Sequence, residues 1–238
     1  MSHSHTNLRP FFSYFGGKWK LAPKYPAPEH SMIIEPFAGS AGYATRYPER
    51  EVVLVEKAPH ITALWRWLIG VSVDEVMALP TDLSDLSDLS DLSDLSDPAQ
   101  TLIRFWCARG RTRTPTTISS WMTSGKWPAS FWGAYARDRI AAQVQAIRHW
   151  RVIEGDYTDA PDYVATWFVD PPYEGDRYYC ARVTDYAALA AWCLARRGLV
   201  IACEQGDASW LPFRRFRTAK SIARGSYKEV VWTQRDAA

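Results

Sequence analysis

Short apolar runs alternate with stretches of helical periodicity along most of the chain. The runs are rich in Val, Ile and Leu and bounded by polar or turn-forming residues, the pattern of strands covered on both faces. They predict strands at Met32–Glu35, Val52–Glu56, Arg151–Glu154, Thr166–Asp170, Leu199–Cys203 and Lys228–Trp232. Strands separated by helical segments predict an α/β sheet with helices on both faces. In open sheets of this kind a ligand lies beyond the carboxyl ends of the strands, so the residues just after each strand carry the functional signal.

One segment breaks the pattern. From Asp82 to Asp97 the triplet Asp-Leu-Ser occurs five times and closes on Asp97. Leucines three residues apart advance about 300° per step around an α-helix, so Leu83, Leu86, Leu89, Leu92 and Leu95 would form no single buried stripe. Six aspartates without a cation would repel a phosphate backbone. The expectation is a solvent-facing linker or frayed helix that divides the chain into residues 1–80, the repeat at 81–97, a segment at 98–150 and a final part at 151–238.

Composition adds limits. A chain of 238 residues with 47% hydrophobic content can bury one substantial core and carry a smaller inserted subdomain. No apolar run approaches the roughly 18 residues needed to cross a bilayer, and the N-terminus has no signal-peptide pattern, so a soluble, cytoplasmic protein without membrane contact is expected. Cys107, Cys180, Cys193 and Cys203 have neither Cys-x-x-Cys spacing nor a histidine at ligand distance, which predicts buried thiols and no metal site. The net charge of +2 is unevenly spread: residues 98–151 hold nine Lys or Arg and one acid, which makes that segment +8 and leaves −6 elsewhere. Trp106, Trp121, Trp127, Trp132 and Trp150 fall in the same segment. Cations with flat aromatic faces suit phosphates and unstacked bases, and they equally suit a solvated helical subdomain with an aromatic core.

Four strand ends carry polar signals. Glu35-Pro36-Phe37-Ala38-Gly39-Ser40-Ala41-Gly42 is a glycine-bearing loop expected to lead into a helix from about Tyr43, with glycines that allow close backbone approach to a ligand. Glu56 ends the next strand, where an acid can accept hydrogen bonds from ribose hydroxyls. Asp156-Tyr157 follows the third. Asp170-Pro171-Pro172-Tyr173 follows the fourth, and its two prolines fix an extended chain whose carbonyls are free to accept. An exocyclic amine is a poor nucleophile because its lone pair is delocalised into the ring. Accepting its hydrogens with the Asp170 carboxylate and the Pro171 carbonyl favours a tetrahedral nitrogen, and the Tyr173 ring offers a purine a stacking surface.

Together with Tyr14-Phe15-Gly16-Gly17-Lys18, these segments resemble, in content and order, the Dam-type (D12 class, alpha group) DNA adenine-N6 methyltransferases. The resemblance covers about residues 11–60 and 150–232. It implies a Rossmann-like sheet that binds S-adenosylmethionine, with residues 1–80 and 151–238 as the two parts of the catalytic domain and 98–150 as a small, mostly helical target-recognition insert. It implies methyl transfer to N6 of an adenine flipped out of double-stranded DNA, with Asp170, Pro171, Pro172 and Tyr173 catalytic and no metal. Cofactor contacts carried over are Tyr14, Gly17, Lys18 (near the methionine carboxylate), Glu35, Pro36, Phe37, Ala38, Gly39, Gly42, Glu56, Asp156, Tyr157 and Asp170. Within the basic segment, Arg109, Arg111, Arg113, Lys126 and Trp127 are the expected DNA contacts. Family members usually carry Trp at position 14, Asp at 56 and Phe at 157, exchanges that keep the stacking, acceptor and backbone roles. Ser13 stands where some relatives have a DNA-contacting Lys, so their recognition sequence does not transfer. Tyr227-Lys228-Glu229-Val230-Val231 resembles the strand that closes the family's sheet.

Other readings differ in substrate or class. An enzyme acting on adenine in RNA would use the same tetrapeptide. A catalytically silent regulator would bind DNA or cofactor without methyl transfer. Gly16-Gly17-Lys18 lacks the upstream Gly of a nucleotide-triphosphate loop and has Trp19 in place of Ser or Thr, which argues against an NTPase.

Overall fold

The computed structural model describes residues 8–83, 88, 92–108, 112, 130–175, 179, 181–221 and 225–236, without the side chains of 219–221 and 225–227. Among them, seven strands form one mixed sheet: β1 (Met32–Glu35), β2 (Glu51–Glu56), β3 (Arg151–Glu154), β4 (Ala165–Val169), β5 (Gly198–Gln205), β6 (Arg214–Ser221) and β7 (Gly225–Gln234). Their order is β3-β2-β1-β4-β5-β7-β6. The first five are parallel, whereas β7 runs antiparallel to β5 and β6 antiparallel to β7. Chain direction across the sheet reverses between β1 and β4, and such a switch point opens a crevice at the strands' carboxyl ends.

Strand period sorts the core. Ile34, Val53, Val55, Trp167, Val169, Val200 and Ala202 face one side and meet Leu189, Ala190 and Cys193 of a helix at Tyr186–Leu194. Ile33, Val52, Leu54, Phe168, Leu199 and Ile201 face the other. That second face is covered by α1 (Pro59–Gly70), α3 (Asp97–Ala108) and α4 (Ala134–Ala141), with the short α2 (Val73–Met77) between them; the helix at Tyr186–Leu194 is α5. In α1, Pro59 fits the first turn and Ile61, Leu64, Trp65 and Leu68 make the buried stripe. Ser72 and Glu75 form a reciprocal capping box on α2. Among the described residues no helix is long and apolar enough to cross a membrane.

Two expectations change, and one open reading narrows. The repeat's described leucines do not face solvent, since Leu83 and Leu92 are 6% and 4% exposed and Leu95 packs on the same core, while Asp82, Ser93, Asp94, Ser96 and Asp97 are exposed as expected. A turn closed by Leu95 N–H on the Leu92 carbonyl aims both leucines inward just before α3 begins. The helix expected from Tyr43 is only a 3₁₀ turn at Ala44–Arg46, because Pro48 disfavours helical backbone at Tyr47. The aromatic segment at 98–150 shares the sheet's core in its described part: Trp106, Trp132 and Trp150 are buried, and their indole N–H groups donate to the carbonyls of Phe11, Pro80 and Pro48. Two of its described arginines also serve the fold. Arg139 donates to the Pro10 carbonyl, and Arg148 donates to the carbonyls of Ile69 and Val71. Arg109, Arg111, Arg113, Lys126, Trp121, Trp127 and Cys180 lie outside the described residues. Cys107, Cys193 and Cys203 are buried free thiols.

Candidate active site

The loop that leaves β1 is shaped by two close approaches. Gly39 has φ +46°, and a Cβ there would come within 3.1 Å of the Tyr14 ring. A Cβ on Gly42 would lie 2.7 Å and 2.8 Å from the backbone nitrogens of Trp19 and Lys18, so only glycine lets the segment at 14–19 lie against the loop. Trp65 of α1 donates its indole N–H to the Gly39 carbonyl at 2.8 Å, and Glu56 at the end of β2 accepts from the Gly39 amide at 2.9 Å. The second Glu56 oxygen accepts from the Ala58 amide at 2.9 Å, which fixes the entry to α1. Burial raises the Glu56 pKa against these backbone hydrogen bonds.

Glu35 is buried inside the same loop. It accepts from the Ala44 amide at 2.6 Å, yet burial pushes its pKa up to about 8. After β3, Asp156 caps a 3₁₀ turn by accepting from the Tyr157 amide at 2.7 Å and pairs with Lys57 at 2.7 Å. The Tyr157 ring stacks on Phe37 with centroids 5.6 Å apart.

Asp170 stands just past β4, at the switch point. Lys18 donates to both its oxygens, at 2.7 Å and 2.8 Å, and to the Gly16 carbonyl at 3.0 Å. Burial alone would lower the Lys18 pKa, but the Asp170 carboxylate, together with smaller contributions from Tyr25, Cys203 and Tyr179, more than reverses this and holds it above its ordinary value. The same ammonium lies 5.0 Å from the Tyr173 ring centroid. Lys18 therefore sits against both surfaces that the family resemblance implies for a target base, the Asp170 carboxylate and the Tyr173 ring.

Tyr14, Gly17, Lys18, Glu35, Pro36, Phe37, Ala38, Gly39, Gly42, Glu56, Asp156, Tyr157 and Asp170 all border one cleft of about 240 Å³. Pro172 borders it too, while Pro171 is buried and Tyr173, 7% exposed, lies beneath its wall. Sequence reasoning missed the opposite rim, formed by Tyr179 and Ala181–Asp185, together with Lys57 and His60. Tyr179 donates to the Phe15 carbonyl at 3.1 Å and passes so close to Gly16, φ +76°, that a Cβ there would meet its hydroxyl at 2.6 Å. The Gly16 turn was the sequence signal for that crossing, although it does not name its partner.

The tetrapeptide has support on its far side. Glu204, buried at the end of β5, accepts from the Glu174 amide at 3.1 Å and from the Trp210 indole at 3.2 Å. The neighbouring Gln205 side chain donates to the Glu174 carbonyl at 2.9 Å, so the residue after Tyr173 is held at both its backbone groups. Burial pushes the Glu204 pKa up to about 7. No protein-family model matches this chain, and no curated protein matches it either.

Proposed function

We propose that this chain is an S-adenosylmethionine-dependent methyltransferase that modifies N6 of adenine in double-stranded DNA. The observation that carries the reading is convergence: the glycine loop after β1, the acids after β2 and β3, and Asp170 after β4 all border one cleft at the sheet's switch point.

The donor set suits the cofactor. Glu56 is an acceptor at the end of β2 for ribose hydroxyls, Phe37 and Tyr157 are flat faces for an adenine ring, and for an amino-acid portion Glu35 offers a hydrogen-bonding carboxyl and Lys18 a cation. When bound, S-adenosylmethionine supplies an electrophilic methyl group. The chain's own work is positioning. Asp170 and the Pro171 carbonyl accept the two N–H hydrogens of the target amine, which localises its lone pair and points it at the cleft. Within a partly desolvated site these hydrogen bonds are stronger than in water. Lys18 must first leave Asp170 and the face of Tyr173, because the target base needs both surfaces.

The test incubates unmodified plasmid DNA with protein and cofactor and maps N6-methyladenine by single-molecule sequencing. Methylation at a defined sequence is expected, and Asp170→Ala should lower the rate by about 100-fold or more, the loss typical for removal of one transition-state hydrogen bond. DNA binding without methyl transfer would make the chain a silent regulator. Methylation of duplex RNA in place of DNA would reassign the substrate.

A further inference from the structure

The β6–β7 hairpin is the part of the sheet that the cleft does not use. Its register shows where it goes. Val169 of β4 pairs with Ala202 of β5, which sets Asp170 level with Cys203. Cys203 pairs with Val231 of β7, and Val231 with Arg214 of β6. From Arg214, β6 runs on to Ser221, seven residues past the level of Asp170, or roughly 20 Å at strand rise. β5 follows β7 as far as the hydrogen bond from the Gly206 amide to the Lys228 carbonyl at 2.9 Å, so the pairs from Ala219–Tyr227 to Ser221–Gly225 extend beyond the sheet, and from the level of Asp170 upward the hairpin forms one two-stranded arm. It projects from the carboxyl edge, the edge on which the cleft opens.

The arm is basic. Residues 208–228 contain Arg214, Arg215, Arg217, Lys220, Arg224 and Lys228 and no acid. Arg217 is committed to the fold through its pair with buried Glu229, and Phe216 anchors the strand by stacking on Tyr25 with centroids 4.6 Å apart. Arg214, Arg215 and Lys228 are exposed.

Resting on the function proposed above, we infer that this hairpin is a phosphate-binding arm that holds the duplex DNA whose adenine enters the cleft. Its rise above Asp170 matches the width of a duplex, its exposed charges Arg214, Arg215 and Lys228 are all positive while Glu229 is neutralised by Arg217, and it rises on the side from which a base must arrive. It supplies register and affinity, because Arg and Lys contacts to phosphates position a duplex without carrying sequence information. Cations on an edge strand also discourage pairing with another chain, and the two roles predict different measurements.

The experiment uses the full chain and a triple variant, Arg214→Gln, Arg215→Gln, Lys228→Gln, with Lys228→Gln alone as a second variant should the triple lose its thermal unfolding transition. Equilibrium binding to a fluorescent duplex is followed across a salt series. Each lost phosphate contact should flatten the plot of log K against log salt by about 0.9, so the triple variant should lose between about 1 and 3 of slope and bind at least tenfold more weakly at low salt. Parallel lines for variant and parent would overturn the arm, and with increased aggregation they would assign these cations to edge protection. A parent that binds no duplex DNA would overturn both this inference and the DNA reading. A parent that binds DNA with unchanged slopes in both variants would overturn the arm alone. Tighter binding to duplex RNA than to DNA would overturn the DNA assignment of both.

Discussion

Lys18 and Asp170 are the residues on which the cleft depends most, and their pairing has a measurable cost of removal. The Lys18 side chain is 5% exposed and that of Asp170 18%, so loss of the ammonium leaves a largely buried carboxylate uncompensated. Lys18→Met should therefore destabilise the fold by about 3 kcal/mol, read from urea unfolding at neutral pH. The pH is chosen by linkage. The folded pKa of Lys18 lies above its unfolded value of about 10.5, so its contribution is complete below that value and is lost only as pH rises through the folded one. A variant within a few tenths of a kcal/mol of the parent would show that solvent already screens the pair. Gly42 is the complementary case: it was readable in the sequence as a loop glycine, but its backbone neighbours at Lys18 and Trp19, more than twenty residues away, were not.

At the scale of elements, Arg148 shows what charge counting conceals. It was one of nine cations in the basic segment, yet its guanidinium donates to the carbonyls of Ile69 and Val71 and so closes the carboxyl end of α1. Arg148→Ala should cost about 1–2 kcal/mol in thermal or urea unfolding and leave DNA affinity unchanged; weaker DNA binding at equal stability would return Arg148 to the nucleic-acid surface. The strands were the most legible part of the fold. Met32–Glu35 and Arg151–Glu154 coincide with the expectation: the first is a central strand whose apolar run is buried, and the second is the edge strand, where the half-buried Val152 and Ile153 lie between two exposed charges. Strand β6 was not legible: Arg-Arg-Phe-Arg-Thr-Ala-Lys-Ser has no alternating apolar face and owes its conformation to pairing with β7. The repeat leucines were misjudged because helical phase was applied to residues that reach the core from a turn. The tryptophans of the basic segment had two readings, and the described ones follow the core reading because each indole N–H finds a carbonyl. For the site, the residues after β1 to β4 were readable because topology puts strand ends together, whereas Tyr179 and Glu204 reach it through contacts that no local motif encodes.

For the molecule as a whole, two buried acids tie stability to pH. Glu35 and Glu204 have folded pKa values of about 8 and about 7, both above the 4.5 of an exposed carboxyl. Between 4.5 and those values the folded chain holds protons that the unfolded chain has released, so stability falls as pH rises through this window and then levels. His60 acts in the other direction, since burial lowers its pKa and the unfolded chain binds its proton first. The expected outcome is a urea midpoint whose decline between about pH 5 and pH 8 is flatter in Glu204→Gln than in the parent. Equal slopes would mean that water reaches Glu204. On the function proposed above, and since Glu204 also holds the amide after Tyr173, a pH-dependent loss of methyl transfer without a change in DNA affinity should share that window.

The pair at the centre of the cleft joins residues 152 positions apart in the chain. Closing so long a loop carries an entropic cost that local contacts must offset first, and the segment between the partners contains β1, β2, β3 and β4. The contact therefore forms late, after the strands have aligned, and the destabilisation of Lys18→Met should appear as faster unfolding with an almost unchanged refolding rate. A nascent chain still lacking β4 has no partner for Lys18, so the cleft is complete only with the sheet.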